Sequence, residues 1–404
     1  MSDARSSTSV KSLFFKHLGQ TSQFPVALHI IKAEGHYLID SEGKRYLDLI
    51  SGISVSNIGH CHPRVVEAVK KQAETYMHTM VYGEYIQNPQ VDLAHYLHRA
   101  THPSLEMAYL VNSGAEAIEG AMKLAKRYTG RPEIIYCRHS YHGSTQGALS
   151  IMGGEEFKQA FRPLIPGCRM IEFNNFDDLK HITKRTAAII TEIVQSESGY
   201  VPADVAWLTE LRNRCDLTGT LLVLDEIQTG FGRTGALFGF QKVGIVPDIL
   251  VLAKGMGGGM PIGAFMASRK LMMSLTENPI LGHITTFGGH PVSAAAALAT
   301  LQVVVENRLW ENALHIEKTF RSLLHHPMIQ KISGVGAMLA LELSDFDTVL
   351  KIINICMKEG LLIDWFLFNN RSLRISPPLT LKDDEMKRAA EILLHALDTV
   401  QTAL

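Results

Sequence analysis

Two apolar runs in this chain end on side chains of opposite charge. Residues 221–235 read LLVLDEIQTGFGRTG, in which Leu221, Leu222, Val223 and Leu224 form a continuous apolar run that closes on Asp225. Residues 249–263 read ILVLAKGMGGGMPIG, where a second run closes on Lys254 and passes into glycines. Continuous runs of this length suit strands buried on both faces of a parallel sheet. In open α/β sheets the ligand occupies the crevice outside the carboxyl ends of the strands, so an acid and an amine at two such ends point into one pocket. Simpler roles exist: Asp225 caps the turn that follows it, or the two side chains form an ion pair. The glycines at Gly255, Gly257, Gly258 and Gly259 favour instead something bulky lying against the backbone beside Lys254.

Residues 111–116 read VNSGAE and open a helical pattern with Ile118, Met122, Ala125 and Tyr128 along one face. Ser113 and Glu116 make the S-x-x-E capping signature. A well-capped helix is one sufficient explanation. The other is that Gly114 leaves the backbone open to approach, and that free N–H groups and the helix dipole hold a phosphate monoester there. Tyr141, His142 and Gly143 follow the run 134–137, where an aromatic ring either stacks on a flat heterocycle or plugs a sheet edge. Amine, acid, phosphate cradle and stacking aromatic together fit pyridoxal phosphate. The amine forms the Schiff base, and the acid keeps the ring nitrogen protonated so that the ring acts as an electron sink.

These residues need a scaffold, and the pattern supplies one. Between about residues 57 and 300, apolar runs at 107–111, 134–137, 187–194, 221–224, 249–252 and 262–267 alternate with helical patterns. That alternation argues a mostly parallel sheet covered by helices. Upstream, residues 35–49 (GHYLIDSEGKRYLDL) read as a hairpin about Ser41, Glu42 and Gly43. After Pro291 comes a long helical stretch, then strands at 336–343 and 373–376. The final stretch, 382–404, places Met386, Ala389, Ala390, Leu393, Leu397 and Val400 at helical spacing. This is a smaller α+β unit that the N-terminal hairpin joins, giving expected divisions at 1–55, 56–300 and 301–404.

With 404 residues, 46% of them hydrophobic, the chain can bury two cores. A formal net charge of -1 with scattered basic residues gives no field for nucleic acid or an anionic membrane. Residues 1–16 are polar without an apolar signal core, and no apolar run reaches membrane-spanning length, so a cytoplasmic protein is expected. Cys61, Cys137, Cys168, Cys215 and Cys356 are odd in number and far apart, which fits reduced thiols. His60, Cys61 and His62 crowd together, but no second cluster completes a metal site and none is expected. Pro63 with Val65, Val66 and Val69 instead starts a helix.

The set SGAEA, YHG, DEIQTGFGRTG, AKGMGGGMPIG, TTFGGHP and LRISPPL runs in this order from about residue 35 to the C-terminus. It resembles the class III (ω-amino acid) aminotransferases of fold type I, of the acetylornithine, 4-aminobutyrate and ornithine types. The resemblance implies a large domain with a mostly parallel seven-stranded sheet and a smaller α+β domain formed by both termini. It implies pyridoxal 5'-phosphate as cofactor, with Lys254 holding it covalently and shuttling the proton, and Asp225 paired with the ring nitrogen. Gln228 would bond the ring hydroxyl, and Ser113, Gly114 and Ala115 would lie at the phosphate. Tyr141 would stack on the ring with His142 beside it, and Glu192 belongs to the same pocket. Thr286 resembles the threonine that reaches the phosphate of the neighbouring subunit, which implies a homodimer. Arg374 resembles the arginine that clamps the α-carboxylate of glutamate or 2-oxoglutarate, a bidentate match of fork to carboxylate. Glu197 falls where members place a glutamate that pairs with that arginine while an ω-amino donor is bound.

Departures from the pattern concern substrate. The common EPVQGE segment is EIVQSE here, with Ile193 and Ser196, and His290 replaces an asparagine. Ile53 stands at a substrate position where ornithine types carry tyrosine, and Ser144 where acetylornithine and ornithine types have arginine, so ornithine is disfavoured. The implied activity moves an amino group from a primary amine or ω-amino acid to 2-oxoglutarate; acetylornithine, 4-aminobutyrate, lysine and diamines are the open donors. A decarboxylating or mutase variant would use the same residues. Intact Lys254, Asp225 and Gln228 weigh against a non-catalytic cofactor-binding regulator. A nucleotide-binding protein is a weaker alternative still, given the late position of the glycines and the lack of a GxxxxGK[ST] run.

Overall fold

The computed structural model describes residues 9–80 and 83–403; half of the polar segment 1–16, and Leu404, lie outside the described residues. Near the N-terminus β1 (Ile30–Glu34), β2 (Tyr37–Asp40) and β3 (Arg45–Asp48) run antiparallel. The expected hairpin is β2–β3. Its turn is held by Asp40, whose Oδ1 accepts the N–H groups of Glu42 and Lys44 at 2.9 Å each.

Seven strands make the large sheet. They are β4 (Met107–Val111), β5 (Glu133–Cys137), β6 (Cys168–Ile171) and β7 (Thr186–Glu192), then, beyond a ribbon of β8 (Val194–Gln195) and β9 (Val201–Pro202), β10 (Leu221–Asp225), β11 (Ile249–Leu252) and β12 (Gly263–Ala267). Their order is β4-β12-β11-β10-β7-β5-β6, with every pairing parallel except the two that β12 makes. This is the α/β architecture expected. The run of β10 is continuous because its side chains alternate between two cores: Leu222 and Leu224 pack with Trp207 and Leu211, Leu221 and Val223 with Ile118 and Ala121. Each such side chain contributes roughly 1.5–3 kcal/mol of burial.

Two details differ from the sequence reading. The strand β6, CRMI, sits at the sheet edge with three of its four residues partly or fully exposed, so it never shows a continuous apolar run. The run 187–194 is two strands, because the chain breaks after Glu192 and Val194–Gln195 pairs with Val201–Pro202. That break leaves Glu192 at the carboxyl end of β7 and puts Glu197 in the ribbon's loop.

Because only β12 is reversed, β4, β5, β7, β10 and β11 all finish on one edge, and the residues following them are gathered there. The second half of the chain adds β13 (Lys331–Val335), β14 (Met338–Glu342), β15 (Leu361–Leu362), β16 (Asp364–Trp365) and β17 (Ser372–Ile375). Four of them form an antiparallel sheet in the order β13-β14-β17-β16, while β15 pairs with β3, Leu361 opposite Leu47. Helix Asp383–Thr402 buries the six apolar residues its spacing singled out. Helix Pro291–Glu306 serves two cores, with Ala294 and Leu301 in one and Ala296 and Val303 in the other.

The turn after β10 is tied down by two buried charges. Glu226 accepts the N–H groups of Gly239 and Phe240 at 2.6 Å each, and burial pushes its carboxyl up to about 7. Arg233, fully buried, donates to the carbonyls of Ala337 (3.2 Å) and Pro377 and to Asn57 Oδ1. It thus clamps the large sheet's loop to the segments that carry β14 and β17. Arg233→Ala leaves three acceptors without their donor, and each buried orphan costs about 1–3 kcal/mol. A stability loss of about 3 kcal/mol or more is expected, read as a lower urea midpoint; an unchanged midpoint would show that the guanidinium clamps nothing.

Candidate functional site

A cavity of about 440 Å³ opens at the carboxyl edge of the large sheet. Ser113, Gly114 and Ala115 reach it from the start of helix Gly114–Thr129, Tyr141 and His142 from the loop after β5, and Glu192, Asp225, Gln228 and Lys254 from the ends of β7, β10 and β11. All nine residues that the sequence placed around a cofactor in this chain therefore line one space.

Asp225 has two jobs at once. Its Oδ1 accepts the N–H of Ile227 at 2.9 Å, the turn cap, while Oδ2 lies 2.6 Å from Nδ1 of His142. Burial works against a charged His142, but the bond to Asp225 and the charges of Asp225 and Glu192 outweigh it and raise its pKa. Glu192 is pushed up to about 7 by burial, against the pull of His142. Its Oε1 accepts the N–H of Ser196 at 3.0 Å. Tyr141 stands half-buried with its hydroxyl 3.3 Å from that of Ser144.

Lys254 forms no ion pair with Asp225, and no hydrogen bond holds its amine among the described residues. It occupies a left-handed backbone conformation, φ 46°, uncommon for a residue with a side chain. Burial lowers its pKa, with Glu197 opposing and Arg374 adding to the shift. A lysine that gives up its proton more readily is a better nucleophile and base.

The glycines have a different use from the one expected. A Cβ at Gly255, Gly257 or Gly258 would collide with Asn57, the Met260 carbonyl or Thr300, so the chain packs against itself there. Of the four, only Gly259 has open space and lines the cavity. A Cβ at Gly114 would strike Ile227, which seats the helix start against the turn after Asp225. The capping signature is half reciprocal: Ser113 Oγ accepts the N–H of Glu116 at 3.2 Å, but Glu116 turns to the N–H of Asn112 at 2.8 Å. The amides of Gly114 and Ala115 have no intrahelical acceptor and stay available to an anion.

The second group of charges lies just beyond this cavity. Arg374 on β17 donates to Glu197 through both ends of its fork, Nη1 to Oε1 at 3.0 Å and Nη2 to Oε2 at 2.7 Å. Arg374 and Glu197 are both buried, and each holds the other charged: the pKa of Glu197 falls and that of Arg374 rises despite burial. The sequence reading missed the rest of the set. Asp364 Oδ1 lies 3.2 Å from Arg374 Nε, the Phe366 ring lies 4.5 Å from the guanidinium and Tyr200 5.8 Å. The one signal was that Asp364 and Arg374 stand opposite each other on β16 and β17, which is visible only once the register is known.

Besides Arg374 and Glu197, two expected site residues, Ile53 and Thr286, are not in the cavity lining. Ile53 is half-buried in a turn, Ser51–Ser54, whose residues all have positive φ; Asp48 Oδ1 holds it by accepting the N–H groups of Ile50 (2.8 Å) and Ser51 (3.0 Å). Its neighbour Val55 lines the cavity instead. Thr286 is exposed, with its carbonyl 2.9 Å from His78 Nε2. Among the described residues no group of His, Cys, Asp and Glu is placed to hold a metal ion, and no helix is long and apolar enough to cross a membrane.

The residues present fit a phosphorylated pyridine aldehyde. His142 Nε2 and Gln228 Oε1 are buried without any partner, so the cavity contains polar atoms that a ligand must satisfy. A free helix start suits a phosphate, an unpaired lysine suits an aldehyde, and a buried carboxylate suits a ring nitrogen.

Comparison with known proteins agrees. The family model of class III aminotransferases matches residues 19–397. An acetylornithine aminotransferase of Archaeoglobus fulgidus is 37% identical over 381 residues, 94% of this chain and 98% of that one. The acetylornithine aminotransferase of Methanocaldococcus jannaschii is 38% identical over 400 residues, 96% of each chain. A solved ornithine aminotransferase of Toxoplasma gondii, described with partial occupancy of pyridoxal phosphate at its active site, superposes with a TM-score of 0.89 at 27% identity. It covers 98% of this chain and 96% of its own.

Proposed function

This chain belongs to the class III aminotransferases and is a pyridoxal-phosphate-dependent enzyme; on that footing we propose that it moves an amino group from an ω-amino acid or primary amine to 2-oxoglutarate, as a cytosolic homodimer. The observation that carries the substrate reading is the bidentate pair of Arg374 with Glu197 beside Lys254. Acetylornithine, named for the curated relatives, heads the donors, with 4-aminobutyrate, lysine and diamines behind it. Ser144 leaves the donor's own carboxylate without an arginine at that position.

The cofactor, when bound, supplies a carbonyl that exchanges amines and a ring that accepts the electron pair left on the amine carbon. The chain's own residues do the rest. Lys254 Nζ holds the cofactor between turnovers and, once released, carries the proton off the amine carbon and returns it. Asp225 keeps a proton on the ring nitrogen, and His142, bonded to Asp225 Oδ2, fixes that carboxylate's orientation. Gln228 would take the ring hydroxyl, Tyr141 would cover the ring face, Glu192 would close the same wall, and Ser113, Gly114 and Ala115 would bind the phosphate. Thr286, exposed and away from this chain's cavity, is assigned to the phosphate of the partner subunit.

Two substrates share one pocket in turn. An ω-amine donor brings a neutral methylene past Arg374, and an unpaired guanidinium there would lose its hydration without compensation. Glu197 meets that need, then gives way when the keto acid brings its α-carboxylate. Removing one partner of such a contact costs about 2–5 kcal/mol. Arg374→Ala is therefore expected to cripple the 2-oxoglutarate half-reaction in single-turnover spectra while the donor half-reaction loses far less, and Glu197→Ala to reverse the pattern. The donor is taken from a panel scored by glutamate formation. Equal damage to both half-reactions in both variants would make the pair structural and end the dual-substrate reading.

A further inference from the structure

Arg374 does not face Glu197 alone. The cross-strand register sets Asp364 directly opposite it, with a carboxylate oxygen 3.2 Å from Nε, on the side of the fork that Glu197 leaves free. The two acids differ in how they are held. Glu197 sits in a loop, and its oxygens bond the guanidinium and the N–H of Leu367 at 3.2 Å. Asp364 is fixed in a strand, and its Oδ1 makes no well-aligned hydrogen bond, being near the guanidinium as a charge rather than as a clamp. The longer Glu197 side chain can turn away from Arg374 while its backbone stays in place, whereas the shorter Asp364 side chain is kept beside Arg374 by the register of the β16–β17 pair.

We propose that Asp364 is a specificity-determining residue for the acceptor half-reaction: a stationary second carboxylate on Arg374 that weakens the binding of the keto acid's α-carboxylate and speeds its exchange. This rests on the reading of Arg374 and Glu197 given above. One guanidinium already serves two carboxylates in this state. A keto acid displaces Glu197 from Arg374 but brings a third negative charge out of water. The attraction that the substrate gains is the attraction that Glu197 gives up, so the uncompensated part is the repulsion from Asp364.

Proton binding relieves that repulsion. The charged groups facing Asp364 are Arg374 from β17, Glu197 from the ribbon loop, and Asp48 from β3, itself 2.8 Å from His60. Burial pushes the Asp364 carboxyl up to about 7, Arg374 pulls it down, and Glu197 and Asp48 add to the rise. An acid raised to that range holds its proton below about 7 and loses it above. Keto-acid affinity is then full on the acid side and falls as pH rises through 7, and binding near neutrality draws a proton in.

Asp364→Asn keeps the shape and removes the charge. In the holoenzyme the variant is expected to show a KM for 2-oxoglutarate lower by about three- to tenfold at pH 8, the effect of a like charge a few ångströms off at a partly exposed site. Its KM should also be flatter between pH 6 and 8.5, with the donor's KM within about twofold of the parent. Asp364→Glu, which restores the charge, should restore the pH slope. Glutarate, a dicarboxylate that cannot react, provides a readout without turnover: calorimetry in two buffers of different ionisation enthalpy should show proton uptake by the unaltered protein and its loss in Asp364→Asn. Glu192, also raised to about 7, is untouched by the substitution, so the difference isolates Asp364.

An unchanged or higher KM for 2-oxoglutarate in a folded Asp364→Asn overturns the proposal, since a clamp would lose affinity and a bystander would change nothing. If the variant fails to fold, glutarate binding to the unaltered protein without proton uptake overturns it equally. Failure of the underlying reading looks different: Arg374→Ala would then keep its acceptor half-reaction, whatever Asp364→Asn does.

Discussion

Lys254→Ala is expected to purify with little or no covalently held cofactor and to lose turnover by more than about 10⁴-fold. Two contributions disappear together. The amine proposed to hold the cofactor aldehyde is gone, and so is the proposed base for the proton at the amine carbon, a role worth roughly 10²–10⁴-fold without the first. The geometry makes the assignment specific. Lys254 is the lysine at the carboxyl edge of the large sheet, lines the cavity, and has no partner to hold it elsewhere. Lys123 lies 2.9 Å from His283 and Lys242 donates to the Thr234 carbonyl at 3.0 Å, and neither lines the cavity. Borohydride reduction of the unaltered protein followed by peptide mass mapping should find the cofactor on Lys254. Attachment at Lys123 or Lys242 would defeat the central assignment. Partial rescue of Lys254→Ala by small primary amines would separate loss of the base from collapse of the pocket.

Asp225→Asn is expected to keep the cofactor, judged by absorbance, and to lose turnover by roughly 10²–10³-fold, the scale on which a single preorganised electrostatic contact acts. The substitution is conservative where it should be. Asparagine Oδ1 can still cap the N–H of Ile227, so the turn that places Gln228 survives. What is lost is the negative charge proposed to favour a proton on the ring nitrogen. The change also reaches His142, whose raised pKa depends first on overcoming burial through the bond and charge of Asp225. In the variant that histidine should titrate lower, a shift that NMR of the imidazole can follow independently of activity. Rates close to those of the unaltered protein would show that the ring nitrogen needs no acid, and the electron-sink role would fall.

Much of the site is legible in local sequence because local rules build it. A strand buried on both faces writes itself as an apolar run, so the ends of β10 and β11, and with them Asp225 and Lys254, can be read without coordinates. Ser113 as a helix cap is equally local, a matter of one side chain and an amide three residues on. The edge strand β6 was invisible because half-exposed residues leave no run.

The glycines after Lys254 could be located but not interpreted, since their neighbours Asn57 and Thr300 come from distant parts of the chain. Glu226 and Arg233 belong to the same motif as Asp225, yet they hold the fold together, one by capping amides at 239 and 240, the other by bonding carbonyls at 337 and 377. Arg374 and Glu197 are 177 residues apart, and resemblance rather than spacing suggested them. Asp364 was found only through the pairing of β16 with β17. Residue type and period record which side chains are buried and where a strand stops, because those depend on a few neighbours in the chain. Which buried charge meets which partner depends on strand register and on how separate layers pack, and nothing shorter than the whole fold encodes it.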